Sequence, residues 1–342
     1  MATLKELADR TGYAPATISR ILSGDPTLSV SPEARRKVLE EAGRLNYSAT
    51  RSRRGRTPKG VLRLGLAEML SPAQQLEDPY YLYLSSYVRQ CCAEKKYTCL
   101  TLERRGDGFA PPEGEGLQGI VAVGLFTTAQ IQSLEAICPN VVFVDSSPFE
   151  SRFDAVVLGY ELGISLALDH LVALGHRRIG YLGPEYKLDH YHRRAPEVRR
   201  QLFCRLMESR SLAPAALLDC PMEAPAAAEA VAALLRRGGE LPTALMCANE
   251  DSAIGALRSL QQAGVAVPQQ MSVVSFNDTP RSSLVDPPLT SVSTHVEEMA
   301  RTALRLLAER ADLPGKPAVR TIPLKVVVPP SLVVRGSTAA VD

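Results

Sequence analysis

The sequence predicts an all-α helix-turn-helix head followed by an α/β core made of two doubly wound parallel-sheet lobes. Three observations carry that prediction. Residues 3–47 hold three short amphipathic stretches split by glycine and proline. Residues 48–60 contain no large apolar side chain. Beyond residue 61, short apolar runs alternate with amphipathic stretches, the pattern of strands and helical crossovers in a parallel sheet covered on both faces. At 342 residues the chain has room for two or three domains and ample core.

The head comes first. "TLKELADR" (3–10) places Thr3 and Glu6 at capping-box spacing and Leu4, Leu7 and Ala8 on one face. Gly12 supplies a turn. A second helix begins near Ala14, and Pro15 is tolerated in its first turn because that N–H has no helical partner. Its inward residues are expected to be Ala14, Ile18, Ile21 and Leu22. A third helix, "SPEARRKVLEEAGRLNY", starts from Ser31 as cap and Pro32, with Val38, Leu39, Ala42 and Leu45 inward. Three helices joined by tight turns form a helix-turn-helix head. "SATRSRRGRTPKG" (48–60) then reads as a basic linker carrying Arg51, Arg53, Arg54, Arg56 and Lys59.

The core follows. Expected strands are "VLRLGLA" (61–67), "YTCLTL" (97–102), "GIVAVG" (119–124), "VVFVD" (141–145), "AVVL" (155–158), "RIGYLG" (178–183), "ALLDC" (216–220), "TALMC" (243–247) and "MSVVSF" (271–276). These are too many for one compact sheet, so the chain is expected to divide near Leu158–Tyr160. The expected organisation is a head at 1–47, a linker at 48–60 and a core at 61–336. Within the core, the first lobe is expected to take about 61–158 and 291–320, and the second about 159–290 and 321–336.

Composition narrows the function. Apolar content of 45% and charged content of 22% suit a soluble globular protein. No apolar run approaches the ~20 residues of a membrane span. "MATLKELADR" has two acids and no apolar stretch, unlike a signal peptide, so a cytoplasmic location is expected. The cysteines at 91, 92, 99, 138, 204, 220 and 247 lack metal-clip spacing and read as reduced thiols. No P-loop or dinucleotide fingerprint appears, so neither metal nor cofactor is expected. No Gly-x-Ser-x-Gly or His-x-x-x-His occurs, and no catalytic residue is assigned. Net charge is only +2, yet residues 1–59 carry +6. A basic head on a slightly acidic body points to a polyanionic partner.

Two sets of residues carry recognition chemistry. In a helix-turn-helix, the second helix offers its N-terminal residues to base edges in the major groove. Pro15 and Ala16 suit apolar contact with a thymine methyl, Thr17 and Ser19 suit phosphate or base acceptors, and Arg20 suits a bidentate guanine contact. The bland alternative is a protein-binding bundle with a solvated Arg20. In doubly wound lobes, ligands sit at the carboxyl ends of strands and in the cleft between lobes. Asp145, Asn249 and Asn277 fall at strand ends, and Arg199 near the start of a helix. The bland alternatives are turn formers or helix caps for Asp145 and Asn277, and a surface charge for Arg199.

"TLKELADRTGYAPATISRILSGDPTLSV" resembles the helix-turn-helix of lactose-repressor-type (LacI/GalR) regulators. "HLVALGHRRIGYLG", "PTALMCANEDSAIGALRSLQQAGVAVPQQMSVVSFND" and "DPPLTSVSTHVEEMA" resemble that family's core, which is of periplasmic-sugar-binding-protein type. "DPYYLYLSSYVRQCCAEKKY", "VDSSPFESRFDAVVLG" and "VSFNDTPRSSLVDPPLTSV" look most like its galactoside-responsive members, the evolved-β-galactosidase repressor among them. The resemblance implies that Pro15, Ala16 and Arg20 read bases, and that Thr3, Thr17, Ser19, Asn46 and Tyr47 lie near phosphate. It implies a hinge helix with a minor-groove leucine in the linker, but no leucine lies between Leu45 and Leu62. Arg51, Arg53, Arg54 and Arg56 are left as the linker's DNA-binding residues.

In the core the resemblance implies an effector site of Tyr80, Tyr81, Asp145, Arg199, Asn249, Asn277, Thr294 and His295. "RRQLFCRLM" fits the family pattern from Arg199, with Leu202 in a glycine place, and Arg193 or Arg194 compete for the role. The implied protein is a homodimeric repressor on palindromic double-stranded DNA, tuned by galactose or a β-galactoside. The tail "RGSTAAVD" lacks the leucine heptads of a tetramerising coil. A sugar-binding protein without regulation, or a sugar-processing enzyme with a regulatory head, are the alternatives.

Overall fold

The computed structural model describes residues 4–22, 28, 30–44, 62–77, 79–110, 116–313 and 317–341. The chain forms two compact units, Met1–Lys59 and Gly60–Asp342.

The first unit holds α1 (Leu4–Thr11), α2 (Pro15–Leu22) and α3 (Pro32–Arg44). Gly12 ends α1 at φ +76°, a conformation that costs glycine little. Ser31 caps α3, its Oγ accepting from the Ala34 N–H at 3.2 Å. Leu7, Ile18, Ile21, Val38 and Ala42 close a small core. Ala14, expected inside, is exposed and precedes the helix. Pro15 starts α2 one residue later and rotates the buried face onto Ile18 and Ile21.

The second unit follows as β1 (Arg63–Glu68), α4 (Pro72–Glu77), α5 (Pro79–Glu94), β2 (Thr98–Thr101), β3 (Glu103–Arg105), β4 (Gly108–Ala110), β5 (Gly119–Val123), α6 (Thr128–Ile137), β6 (Val141–Val144) and β7 (Asp154–Leu158). The chain then enters the second lobe with α7 (Tyr160–Ala173), β8 (Ile179–Leu182), β9 (Tyr186–Leu188), β10 (Arg194–Pro196), α8 (Val198–Ser209), β11 (Ala216–Leu218), α9 (Ala224–Arg237), β12 (Ala244–Cys247), α10 (Glu250–Gln262), β13 (Ser272–Asn277) and β14 (Thr290–Ser293). It returns to the first lobe with α11 (Val296–Arg310) and β15 (Lys325–Val328), and crosses once more to β16 (Ser331–Val333).

The first sheet has the order β15-β7-β6-β5-β1-β2 and the second β11-β8-β12-β13-β14-β16. All neighbours are parallel except β14 with β16. Strands such as "VVFV" and "ALMC" are buried along their whole length, as a sheet covered on both faces requires.

The expected strands all form. Two hairpins (β3–β4 and β9–β10) and β14 were not anticipated, being short or largely polar. The expected lobe division needs correction. Residues 291–293 belong to the second sheet, through β14 against β13. Residues 325–328 belong to the first, where Lys325–Val328 pairs with Ala155–Leu158. Buried Asp154 explains that return. It accepts from the Leu324 N–H at 2.6 Å and from Arg320 Nη1 at 2.7 Å, tying the approach to β15 onto β7. The second lobe extends past residue 336: the Val273 N–H donates to Ser337 O at 2.8 Å and the Val341 N–H to Leu174 O at 2.9 Å.

Candidate ligand cleft and recognition helix

The chain passes between the lobes after β7, after β14 and after β15. The carboxyl ends of several strands open there. One cavity is lined by Tyr80, Tyr81, Asp145 and Leu158 of the first lobe. From the second lobe come Tyr160, Lys187, Arg199, Met222, Asn249, Asn277 and Thr294. Its free volume is about 20 Å³, room for roughly one water. A larger hollow of about 680 Å³ shares Tyr81, Lys187 and Met222 with it.

Seven of the eight expected core residues thus meet at one place. Asp145 follows β6 at φ +67°. Its Oδ2 accepts from the Tyr81 hydroxyl at 2.9 Å and its Oδ1 from the Tyr160 hydroxyl at 3.2 Å. Burial, then the neighbouring Asp145 carboxylate, pushes the Tyr160 phenol well above its ordinary value, so it stays a donor. Tyr80 packs edge-on against Tyr81, with ring centroids 5.0 Å apart.

Arg199 is 6% exposed, so the surface-charge alternative is out. Its Nε donates to Glu197 at 2.8 Å and its Nη1 to Ala248 O at 2.7 Å. The guanidinium also lies over the rings of Tyr160 and Phe276, 5.6 and 5.7 Å from their centroids. Burial alone would lower the Arg199 pKa, but the Glu197 carboxylate, with the Tyr160 and Tyr181 phenols, outweighs it and the value rises. For Glu197, burial raises the pKa, Arg199 lowers it, and the net direction is down. Glu197 caps α8 through the Arg200 N–H and accepts from the Tyr181 hydroxyl at 3.3 Å. Arg193 and Arg194, the competing arginines, are exposed on the β9–β10 hairpin, and neither borders the small cavity.

Asn249 is both a cap and a cavity residue. Its Oδ1 accepts from the Ser252 N–H at 2.9 Å at the start of α10, and its Nδ2 donates to Met222 O at 3.1 Å. Asn277 ends β13 at φ +101°, and Thr294 Oγ1 donates to its carbonyl at 3.2 Å. His295 is not brought to the cavity. It precedes α11 in the left-handed region and is exposed, 2.9 Å from Ser331 Oγ across two of the interlobe crossings.

The residues that sequence reasoning missed are Tyr160, Lys187, Met222 and Glu197. Tyr160 opens the helix after the first crossing, a place the strand-end argument could have included. Glu197 stands two residues before Arg199, an acid that a buried arginine requires.

In the separate head, α2 presents Pro15, Ala16 and Arg20 on its exposed surface, with Thr17 half-buried. The Ser19 side chain, and Thr3, Asn46, Tyr47, Arg51, Arg53, Arg54 and Arg56, lie outside the described residues.

A periplasmic binding protein-like domain matches residues 168–338. The HTH-type transcriptional repressor MelR of Bacillus subtilis is 30% identical, over 98% of this chain and 97% of its own length. The chain belongs to the LacI/GalR family of helix-turn-helix regulators. GalR of Lacticaseibacillus casei is also 30% identical, over 99% of this chain and all of its own length. MalR of Streptomyces coelicolor is 33% identical over 98% of this chain and 96% of its own length. The lac repressor dimer bound to operator and the anti-inducer ONPF shares the fold, with a TM-score of 0.66 at 23% identity, covering 99% of each chain. As a LacI/GalR member, the protein is a transcriptional regulator and not an enzyme. Among the described residues no helix is long and apolar enough to cross a membrane.

Proposed function

We propose that this LacI/GalR regulator is a cytoplasmic homodimer that represses sugar-utilisation genes from a palindromic operator and is released by galactose or a β-galactoside. The observation that carries the effector reading is the convergence of Tyr80, Tyr81, Asp145, Arg199, Asn249, Asn277 and Thr294 on one cavity between the lobes. Carboxylate, guanidinium and amides match vicinal hydroxyls, and tyrosine rings match a sugar's apolar face. Pro15, Ala16 and Arg20 read the operator's bases, and two heads match its two-fold axis. Thr3, Thr17, Ser19, Asn46, Tyr47, Arg51, Arg53, Arg54 and Arg56 add phosphate contacts. His295 acts at the cleft rim, in the crossings rather than on the sugar. The effector releases DNA because it favours one lobe arrangement over the other.

A thermal-shift screen of galactose, lactose, lactulose and glucose, paired with operator gel shifts, tests the reading. A specific sugar at 100 times its Kd stabilises by about 2.7 kcal/mol and should displace the operator. No shift with any galactoside would sink the galactoside assignment.

A further inference from the structure

The β9–β10 hairpin is an arm of the second lobe that reaches the first. Its register pairs Tyr186–Leu188 with Pro196–Arg194. At the tip, Asp189 accepts from the Tyr191 and Arg193 N–H groups at 2.8 and 2.9 Å and from the Arg193 guanidinium at 2.9 and 3.1 Å. Arg193 lies 5.0 Å from the Tyr191 ring centroid, and Arg194 lies 4.3 Å from that of Tyr186. These contacts lie within the arm itself, while most of its side chains face solvent.

The tip meets the loop after β6. The buried Ser147 N–H donates to His190 Nδ1 at 3.4 Å. The Tyr191 ring stands edge-on to Phe149, with centroids 5.4 Å apart and planes at 78°. The loop is braced from its own lobe, since Glu150 accepts from Ser147 Oγ at 3.2 Å and from Lys325 Nζ at 2.7 Å. Ser147 is two residues from Asp145. At the other end the hairpin runs directly into Glu197, the partner of Arg199. Between these ends Lys187 borders the cavity itself.

One arm therefore joins the Asp145 loop of one lobe to the Arg199 helix of the other. We propose that the β9–β10 hairpin is an interlobe clasp, closed through His190–Ser147 and Tyr191–Phe149, whose release sets the rate of effector entry and exit. A long hydrogen bond and one aromatic pair are contacts weak enough to break and remake. The inference rests on the effector reading above for its rate, but not for its contacts.

Hydrogen exchange on the full-length protein, in wild type, Tyr191→Ala and Tyr191→Phe, tests the contacts. Tyr191→Ala should raise exchange in residues 145–153 while leaving 244–262 unchanged, and Tyr191→Phe, which keeps the ring, should match wild type. Stopped-flow dissociation of lactose, the probe for rate, should be roughly three- to tenfold faster in Tyr191→Ala, the factor an aromatic pair carries. Unchanged exchange in 145–153 overturns the clasp. Raised exchange with unchanged lactose dissociation overturns its control of the effector. If neither lactose nor galactose binds any of the three proteins, the galactoside reading fails, and exchange alone decides the clasp.

Discussion

The two lobes of the core share one strand order and do different work with it. In each, the first strand lies beside the second at one edge and the third, fourth and fifth follow in turn. Equivalent positions then carry different chemistry. At the end of the fourth strand stand Asp145, just beyond β6, and Asn277, the last residue of β13, both at positive φ. On the helix that borders the cleft after the first strand stand Tyr80 and Tyr81 in one lobe and Arg199 in the other. The first lobe faces the cavity with a carboxylate acceptor and two tyrosines, whereas the second faces it with one tyrosine, the arginine of a buried ion pair, a lysine and two asparagines. A repeated scaffold fixes where groups emerge, and the side chains decide what each half offers a ligand.

The largest expected difference between the lobes lies in that ion pair. Arg199→Met leaves Glu197 buried without its partner, and breaking such a pair costs about 3–5 kcal/mol. Tyr81→Phe removes one hydrogen bond to a carboxylate, about 1.5–3 kcal/mol. Denaturant unfolding should separate the two, and Arg199→Met with Glu197→Gln, which removes the charge but keeps oxygen for the α8 cap and for Tyr181, should recover part of the loss. Equal unfolding midpoints for Arg199→Met and wild type would mean that the pair does not anchor the second lobe.

A second asymmetry is in pH response. His176, buried in the second lobe, lies 2.9 Å from Thr243 Oγ1, 3.0 Å from Ser272 Oγ and 3.0 Å from Ala339 O, pinning the C-terminal segment. Burial lowers its pKa below the ordinary 6.5, with the Ala339 carbonyl opposing and His170 adding. A depressed folded-state value means that the neutral ring supports the fold above pH 6.5, and that this support is lost as pH falls through the folded value. Melting temperature should therefore drop below pH 6.5 in wild type. His176→Gln should flatten that part of the profile, and an unchanged profile would show that another group titrates there.

Much of this division was legible in the sequence, for physical reasons. Runs such as "VVFV" and "ALMC" signal strands because parallel sheets bury both faces, and the residues just beyond them had to lie at the cleft. The hairpins escaped because each of their strands is only three residues long, too short to set up a pattern. The lobe that β15 joins escaped because it rests on Asp154 and Arg320, whose pairing across 166 residues leaves no local signal. Tyr160 and Lys187 reach the cavity only through the placement of a crossing and a hairpin. Asn249 lines the cavity and also caps α10, and no local pattern separates the two because one side chain does both.

That double role sets up the smallest test of the comparison. The helix after the third strand starts in the first lobe with Thr127, whose hydroxyl accepts from the Gln130 N–H at 3.2 Å while Gln130 Oε1 accepts from the Thr127 N–H at 3.0 Å. In the second lobe it starts with Asn249. Both are N-caps, so Thr127→Ala and Asn249→Ala should each cost about 1 kcal/mol of stability. Only Asn249 borders the cavity, so only Asn249→Ala should also weaken a bound sugar. Asn249→Asp keeps the capping oxygen but loses the donor to Met222 O, and should retain stability while still weakening the sugar. If Thr127→Ala weakened the sugar as much as Asn249→Ala, the effect would come from loosening a helix, and the division of labour at this position would be wrong.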